Sequence, residues 1–474
     1  MAEWWNASTG ELCAAYSERR ASPVEVLEQL LERCARFNAL LNAIVTLDAA
    51  GARAAAEASA ARWRAGAPLS LLDGVPVTVK DSLIVGGMRA TWGSRLYADF
   101  VPAEDELPIA RLRAAGAVIM GKTNVPEFTL QGYTDNPLFG VTRNPWDPAL
   151  TPGGSSGGAV ASVAAGFAPL ALGTDGGGST RRPAAHTGLV GLKPSRGRIA
   201  RSGSFPAILL DFEVVGLIAR TVEDVETALA LLADTHPSDF SSAPFARDSY
   251  RSVQRRPCRI LYAARFGDAP VDPEIAASVG AAAHALEALG HRVEEAGTSD
   301  IAQEANEAWP TISQAGLAWL LARHGDWRGR VGSALAAMAH AGAALSAVRY
   351  FDALAAAQRT RERVRELFES GYDLIMTPSN AAMPWPAAHS HPPQIAGRDA
   401  GSRGHAVFTA FANAAGVPAI SVPCTSSRAG LPIGFQLVAP FGADALLCAV
   451  AAQFEQAHPW RHRQPALDRA QAAA

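Results

Sequence analysis

The chain has 474 residues, with 42 Lys or Arg against 45 Asp or Glu for a formal net charge of −3, and is 49% hydrophobic and 18% charged. That balance excludes the basic footprint of a nucleic-acid binder and an acidic solvating tail, and the length fits about three average domains or one large α/β domain with insertions. The five cysteines, Cys13, Cys34, Cys258, Cys424 and Cys448, are scattered without CxxC spacing, which argues against a zinc site or a disulfide framework.

Residues 1–6 lack the basic and apolar regions of a secretory signal. The longest charge-free apolar stretch, 159–173, is too short and too rich in Ala and Gly to span a bilayer. The expectation is a reduced, cytoplasmic protein without nucleic-acid or membrane partners. Further along, Ser22-Pro23-Val24-Glu25 is a capping box with Pro at the first helical position, and Val24, Leu27, Leu31 and Cys34 follow at helical spacing. From about residue 67 the pattern changes to short β-type runs separated by Gly, Pro and Asn. Val75–Lys80 and Ala117–Met120 read as buried strands, with a helix-like Ile109–Ala115 between them.

Between Thr151 and Ser195 glycine is dense, in two Gly/Ser clusters joined by a small-residue helix over 157–166. A capped helix from Thr221, a strand Ile260–Ala263, a helix from Asp272-Pro273 to Gly290 and a strand around Val293 follow. Residues from about 300 to 370 are helical and Ala-rich, and buried strands return at Leu374–Met376, Ala419–Val422 and Gly434–Val438. Strands alternating with helices predict an α/β layer architecture.

The chemistry concentrates in Gly153-Gly154-Ser155-Ser156-Gly157-Gly158 and Gly173-Thr174-Asp175-Gly176-Gly177-Gly178-Ser179. Serine flanked by glycine on a tight loop suits an exposed nucleophile beside free backbone N–H groups. A phosphate cradle of the Walker type would need Lys then Ser/Thr after its last glycine, which neither cluster supplies. His186, seven residues beyond Ser179, could form a Ser-His pair but needs a carboxylate partner. Lysine offers another base. Only three of the 42 basic residues are lysine, Lys80, Lys122 and Lys193, and all fall between 80 and 193. Buried at the end of its strand, Lys80 could lose its proton near neutral pH, which arginine cannot do; an ion pair with Asp81 is the structural alternative.

These residues carry a resemblance. Gly74–Asp81 around Lys80, Gly121-Lys122-Thr123-Asn124, Thr142-Arg143-Asn144-Pro145-Trp146, the two glycine clusters and Gly191-Leu192-Lys193-Pro194 resemble the amidase signature family. The likeness extends from about residue 8 to 460, through Thr377-Pro378, Ala415–Ala419 and Gly430–Gln436. It implies an α/β amidase signature fold, a large mixed, mostly parallel β-sheet flanked by helices on both faces. It implies one domain over 1–474, made of an N-terminal helical segment (1–66), a signature core (67–220), a variable helical pocket region (221–370) and a sheet-completing part (371–474).

The resemblance further implies a Ser-cisSer-Lys triad without metal or cofactor: Ser179 as nucleophile, Ser155 as bridging serine on a cis peptide after Gly154, and Lys80 as base. Backbone N–H groups of Gly176, Gly177, Gly178 and Ser179 would form the oxyanion hole. Ser156, Asp175 and Arg181 would hold the two glycine loops together, and Lys122 and Lys193 belong to the framework. Gly176 departs from the family, which often has Thr or a branched residue there, and is expected to loosen the loop.

Thr129, Leu130 and Gln131, with Gly132-Tyr133, align where relatives line the acyl pocket, and Phe205, Ile208, Leu209, Trp309, Ile312 and Trp319 are candidates to cover the site. Ordinary helix packing is the alternative for the tryptophans. If they line a pocket, a neutral, apolar amide, anilide or carbamate is favoured over a small charged one. The expected activity is hydrolysis of a small-molecule amide, with ester or urethane as further substrates, by a monomer or homodimer. The alternative within the family is the A subunit of a tRNA-dependent glutamine amidotransferase. Such subunits usually carry an acidic residue just before the segment equivalent to Phe408–Asn413, where this chain has Gly404-His405-Ala406-Val407.

Overall fold

In the computed structural model, which describes residues 3–246, 250–254 and 256–468, the apolar runs become β1 (Ile44–Leu47), β2 (Pro76–Lys80), β3 (Val118–Thr123), β4 (Leu170–Asp175), β5 (Val190–Lys193), β6 (Val214–Ala219) and β7 (Arg259–Ala263). They continue as β8 (Arg292–Ala296), β9 (Leu374–Pro378), β10 (Gln394–Ile395), β11 (Arg398–Asp399), β12 (Ala419–Pro423) and β13 (Gly434–Val438). Eleven strands form one sheet in the order β1-β3-β2-β4-β6-β5-β12-β13-β9-β7-β8, and β10 pairs with β11 apart from it. The sheet is mixed. β2 runs parallel to β3 and β4, and β7 to β8 and β9. Antiparallel ladders add β1 to β3 and carry the middle of the sheet through β4, β6, β5, β12, β13 and β9.

Every residue of β2 through β6 is buried, so both faces of this part of the sheet are covered. Alternation sorts the side chains. Val77, Val79, Leu170, Leu172 and Leu217 enter the largest core cluster, with Val222, Val225 and Leu229 of the helix Val222–Leu232. Ala171 and Ile218 point the other way, onto Val160 and Val163 of the helix Gly157–Ala164. The cap signals act where the local pattern places them: the Ser22 side chain accepts from Glu25 N and Glu25 returns the bond, starting the helix Pro23–Leu41.

Four strands of the large sheet, β1, β4, β5 and β6, do not stand out as separate elements in the sequence pattern, nor does the short pair β10 and β11. β4 and β5 lie inside the glycine-dense stretch, where glycine interrupts the strand pattern. Their order comes from pairing with β6, which sets Asp175 opposite Val214 and Gly191 opposite Ile218. Because β2 and β4 are parallel neighbours, with Val79 opposite Leu172, their carboxyl ends place Lys80 beside Thr174 and Asp175. Ligand sites in α/β sheets form beyond such strand ends. Among the described residues no helix is long and apolar enough to cross a membrane.

Candidate active site

Lys80 is fully buried and lies 2.8 Å, through Nζ, from Ser155 Oγ. It also donates to Thr174 Oγ1 at 2.9 Å and Thr174 O at 3.2 Å. Sequence reasoning missed Thr174, although it stands beside Asp175 in the second glycine cluster. Burial pushes the Lys80 amine down to about 7, against the charges of Glu213 and Asp175, which hold it up. The alternative ion pair with Asp81 does not form. Asp81 faces Lys122 at 3.3 Å, and Lys122 also donates to Leu83 O at 2.7 Å. Lys193, equally buried, donates to Pro194 O at 3.0 Å. Among the described residues Lys80 has no carboxylate within ion-pair distance.

The peptide between Gly154 and Ser155 is cis. Ser155 and Ser179 are 1% and 8% exposed, so Ser179 is the more open of the two. Ser156 ties the loops together: its N–H donates to Ser179 O and its Oγ to Thr174 O, both at 3.2 Å.

Asp175 and Arg181 form the frame beneath Ser179. Arg181 donates from Nη2 to Asp175 Oδ1 at 2.8 Å and from Nε to Oδ2 at 3.0 Å, a bidentate pair with both side chains at zero exposure. Its remaining donors reach Asn413 Oδ1 at 2.6 Å, Gln436 Oε1 at 2.5 Å and Thr409 O at 3.1 Å. Burial pushes the Asp175 carboxyl up, but the Arg181 charge and these hydrogen bonds outweigh it and hold the group well below the usual carboxylate range.

One expected oxyanion donor is otherwise engaged. Gly178 N–H donates to Asp175 Oδ1 at 2.7 Å, because the loop turns back over that carboxylate. The N–H groups of Gly176, Gly177 and Ser179 have no acceptor among the described residues. Gly176 leaves no gap beside the loop. A Cβ there would lie 2.5 Å from Leu209 Cδ1, so Leu209 occupies the space of a branched side chain, and Trp309 Nε1 pins the loop by donating to Gly176 O at 3.0 Å.

The other candidates divide. Thr129 and Leu130 are buried and Gln131 half-buried; the Thr129 hydroxyl donates to Phe128 O at 2.6 Å and accepts from Trp92 Nε1 at 3.4 Å. Phe205, Ile208 and Leu209 line a cavity of about 320 Å³ with Ser82 and Glu213, on the Leu209 side of the glycine loop. Trp309 reaches the loop, whereas Trp319, 45% exposed, borders a different cavity beside Leu210 and Tyr350. His186 does not meet Ser179 through a hydrogen bond. Its Nε2 lies 3.1 Å from Ala382 O, and burial pushes it down to about 4, with no carboxylate partner among the described residues.

A family model described as Amidase matches residues 25–448. The A subunit of the glutamyl-tRNA(Gln) amidotransferase from Synechococcus sp. (strain RCC307) is 36% identical over 92% of this chain and 94% of its own length. That of Alkaliphilus metalliredigens (strain QYMF) is 32% identical, over 93% and 94%. Among solved structures, 6-aminohexanoate cyclic dimer hydrolase complexed with substrate superposes with a TM-score of 0.86 at 30% identity, covering 98% of this chain and 99% of that one. A bacterial aryl acylamidase of the amidase signature enzymes gives a TM-score of 0.86 at 30% identity, over 96% and 97%. The ordered motifs, the mixed sheet that carries them and a family match spanning most of the sequence lead to one conclusion: the chain belongs to the amidase signature family.

Proposed function

We propose that the protein is an amidohydrolase that cleaves a carboxylic amide through an acyl-enzyme on Ser179. The observation that carries this reading is the 2.8 Å contact between Lys80 Nζ and Ser155 Oγ in a pocket where Lys80 has no carboxylate partner. A buried amine held near 7 is neutral in much of the population at physiological pH and can accept a proton. Neutral Lys80 takes the Ser155 proton, Ser155 takes that of Ser179, and Ser179 Oγ bonds to the carbonyl carbon. The oxyanion is received by the N–H groups of Gly176, Gly177 and Ser179; losing one such donor typically costs about 2.7–4 kcal/mol of transition-state stabilisation. The relay returns the proton to the leaving nitrogen as the C–N bond breaks, and water, activated by the same relay, releases the acid and restores Ser179.

Ser179→Ala is expected to abolish turnover of primary amides and p-nitroanilides and to prevent labelling by a serine-directed phosphonate; comparable activity in the variant would overturn the assignment. A second reading is the A subunit of a glutamine amidotransferase, with partner subunits, because the 32–36% identical relatives carry that name. Ala406 and the absence of a carboxylate in residues 404–407 favour the standalone hydrolase. Strong glutaminase activity with inert aryl and alkyl amides, and with succinamic acid and N-acetylglycine equally inert, would reverse the choice.

A further inference from the structure

Beside the saturated Arg181, the next residue behaves differently. Arg182 is 6% exposed, and its guanidinium makes no hydrogen bond or ion pair among the described residues, with Nε buried and unpartnered. Arg403, half-buried, stacks over the Trp309 ring, its guanidinium carbon 3.8 Å from the centroid, and likewise meets no acid among the described residues. Burial first, then the charge of Arg182, lowers Arg403 to about 9, and burial lowers Arg182 to about 10 against the charge of Asp175, which holds it up. His405, 3% exposed, leaves both ring nitrogens unpartnered, and Asn380 Oδ1 is also unsatisfied. Burial first, then Arg182 and Arg403, keep His405 neutral, with one N–H to donate.

These groups border the glycine loop and the acyl-pocket segment. A Cβ on Gly178 would lie 2.8 Å from Arg182 Nε. One on Gly132 would lie 3.1 Å from Arg182 Nη1 and 2.2 Å from His405 Nε2. Trp309, under Arg403, holds Gly176 O at 3.0 Å. The nearby acid Asp175 is committed to Arg181, Asn413, Gly178 and Thr180.

An unpaired buried cation such as Arg182 is costly, and a second, half-buried cation that repels it adds to the cost. Buried donors without partners call for a ligand to complete them. The planar fork of arginine matches a carboxylate with two parallel N–H bonds, and a buried fork beside a second, half-buried one selects for an anion. We propose that Arg182, Arg403 and His405 form a subsite for a carboxylate borne by the substrate itself, so that the enzyme acts on acidic amides. This rests on Ser179 as the nucleophile, and it replaces the expectation of a neutral, apolar amide. The carboxylate sits on the acyl part, as in a dicarboxylic acid half-amide, or on the leaving amine, as in an N-acyl amino acid.

The full chain is assayed with matched pairs, succinamic acid against succinamide and N-acetylglycine against N-propylacetamide. The acidic member of one pair is expected to exceed its neutral partner in kcat/KM by about 100-fold or more, and the preferred pair assigns the carboxylate to the acyl or the leaving side. Arg182→Gln and Arg403→Gln, each checked for folding by circular dichroism, should each cut that selectivity ratio at least about tenfold. Independently of turnover, succinate should raise the melting temperature of Ser179→Ala protein but not of the Ser179→Ala/Arg182→Gln protein. Preference for both neutral members, or a ratio unmoved in both folded arginine variants, overturns the subsite while leaving the Ser179 chemistry intact. If no amide is turned over and the phosphonate does not label Ser179, the hydrolase reading fails, and the succinate melting shift alone then decides the subsite.

Discussion

Two neighbouring residues on one short helix, Arg181 and Arg182, meet opposite surroundings. Arg181 joins Asp175, Asn413, Gln436 and the Thr409 carbonyl in a network that uses its donors fully. Arg182, with Arg403 and His405, gathers positive charge and unpartnered nitrogens with no acid among them. The first cluster is fully buried, the second is buried at Arg182 and His405 and half-buried at Arg403, and both touch the loop that carries Ser179. A saturated network builds the site, because every polar atom taken out of water has a replacement partner. An unsaturated one is completed by what enters the site.

The saturated side is expected to be the more sensitive to substitution. Arg181→Leu strips Asp175 of its cation and should destabilise the protein by about 3–5 kcal/mol, read as a fall in urea midpoint. A loss below about 1 kcal/mol would mean that the network is dispensable. The unsaturated side should respond in the opposite sense: Arg182→Gln removes a buried charge without orphaning a carboxylate, and unfolding free energy should stay within about 1 kcal/mol of wild type or rise. A loss of several kcal/mol would show that Arg182 has a structural partner in solution.

The lysines repeat the contrast between paired and unpaired cations. Lys122 is paired with Asp81, whereas among the described residues Lys80 donates to hydroxyl and carbonyl oxygens alone. An amine held near 7 is protonated below that pH and neutral above it, and on the proposed mechanism only the neutral form takes the proton. Log kcat/KM should therefore climb with pH at a slope of about one below the midpoint and level off above it. A flat profile from about pH 5 to 9 would remove Lys80 from the proton path. The smallest effect is expected from His186→Ala. Its ring nitrogen serves the Ala382 carbonyl, so kcat should change by less than about threefold; a collapse of kcat with intact folding would restore the Ser-His pair.

Much of this is legible in the sequence. The capping box at Ser22, the strand ending in Lys80 and the strands returning at Leu374, Ala419 and Gly434 follow from local pattern, because caps and apolar runs act within a few residues. β4, β5 and β6 are harder. Glycine at 173 and 191 blurs the alternation, and only their mutual pairing makes Asp175 the end of a strand. Thr174 as a Lys80 partner, the use of Gly178 N–H by Asp175 and the filling of the Gly176 gap by Leu209 depend on side-chain direction within a packed loop, which residue type does not encode.

Residue order alone carries the family motifs, the serine-bearing glycine loops and the scarcity of lysine that singles out Lys80. Which of two adjacent arginines is neutralised depends on the completed fold. Arg181 finds Asn413 and Gln436 more than 230 residues away, and Arg182 lies on the side of the loop shared with Arg403 and His405. Charge is a property of the residue. Compensation is a property of the contacts, and in this protein those contacts are made by segments that meet only when the sheet is complete.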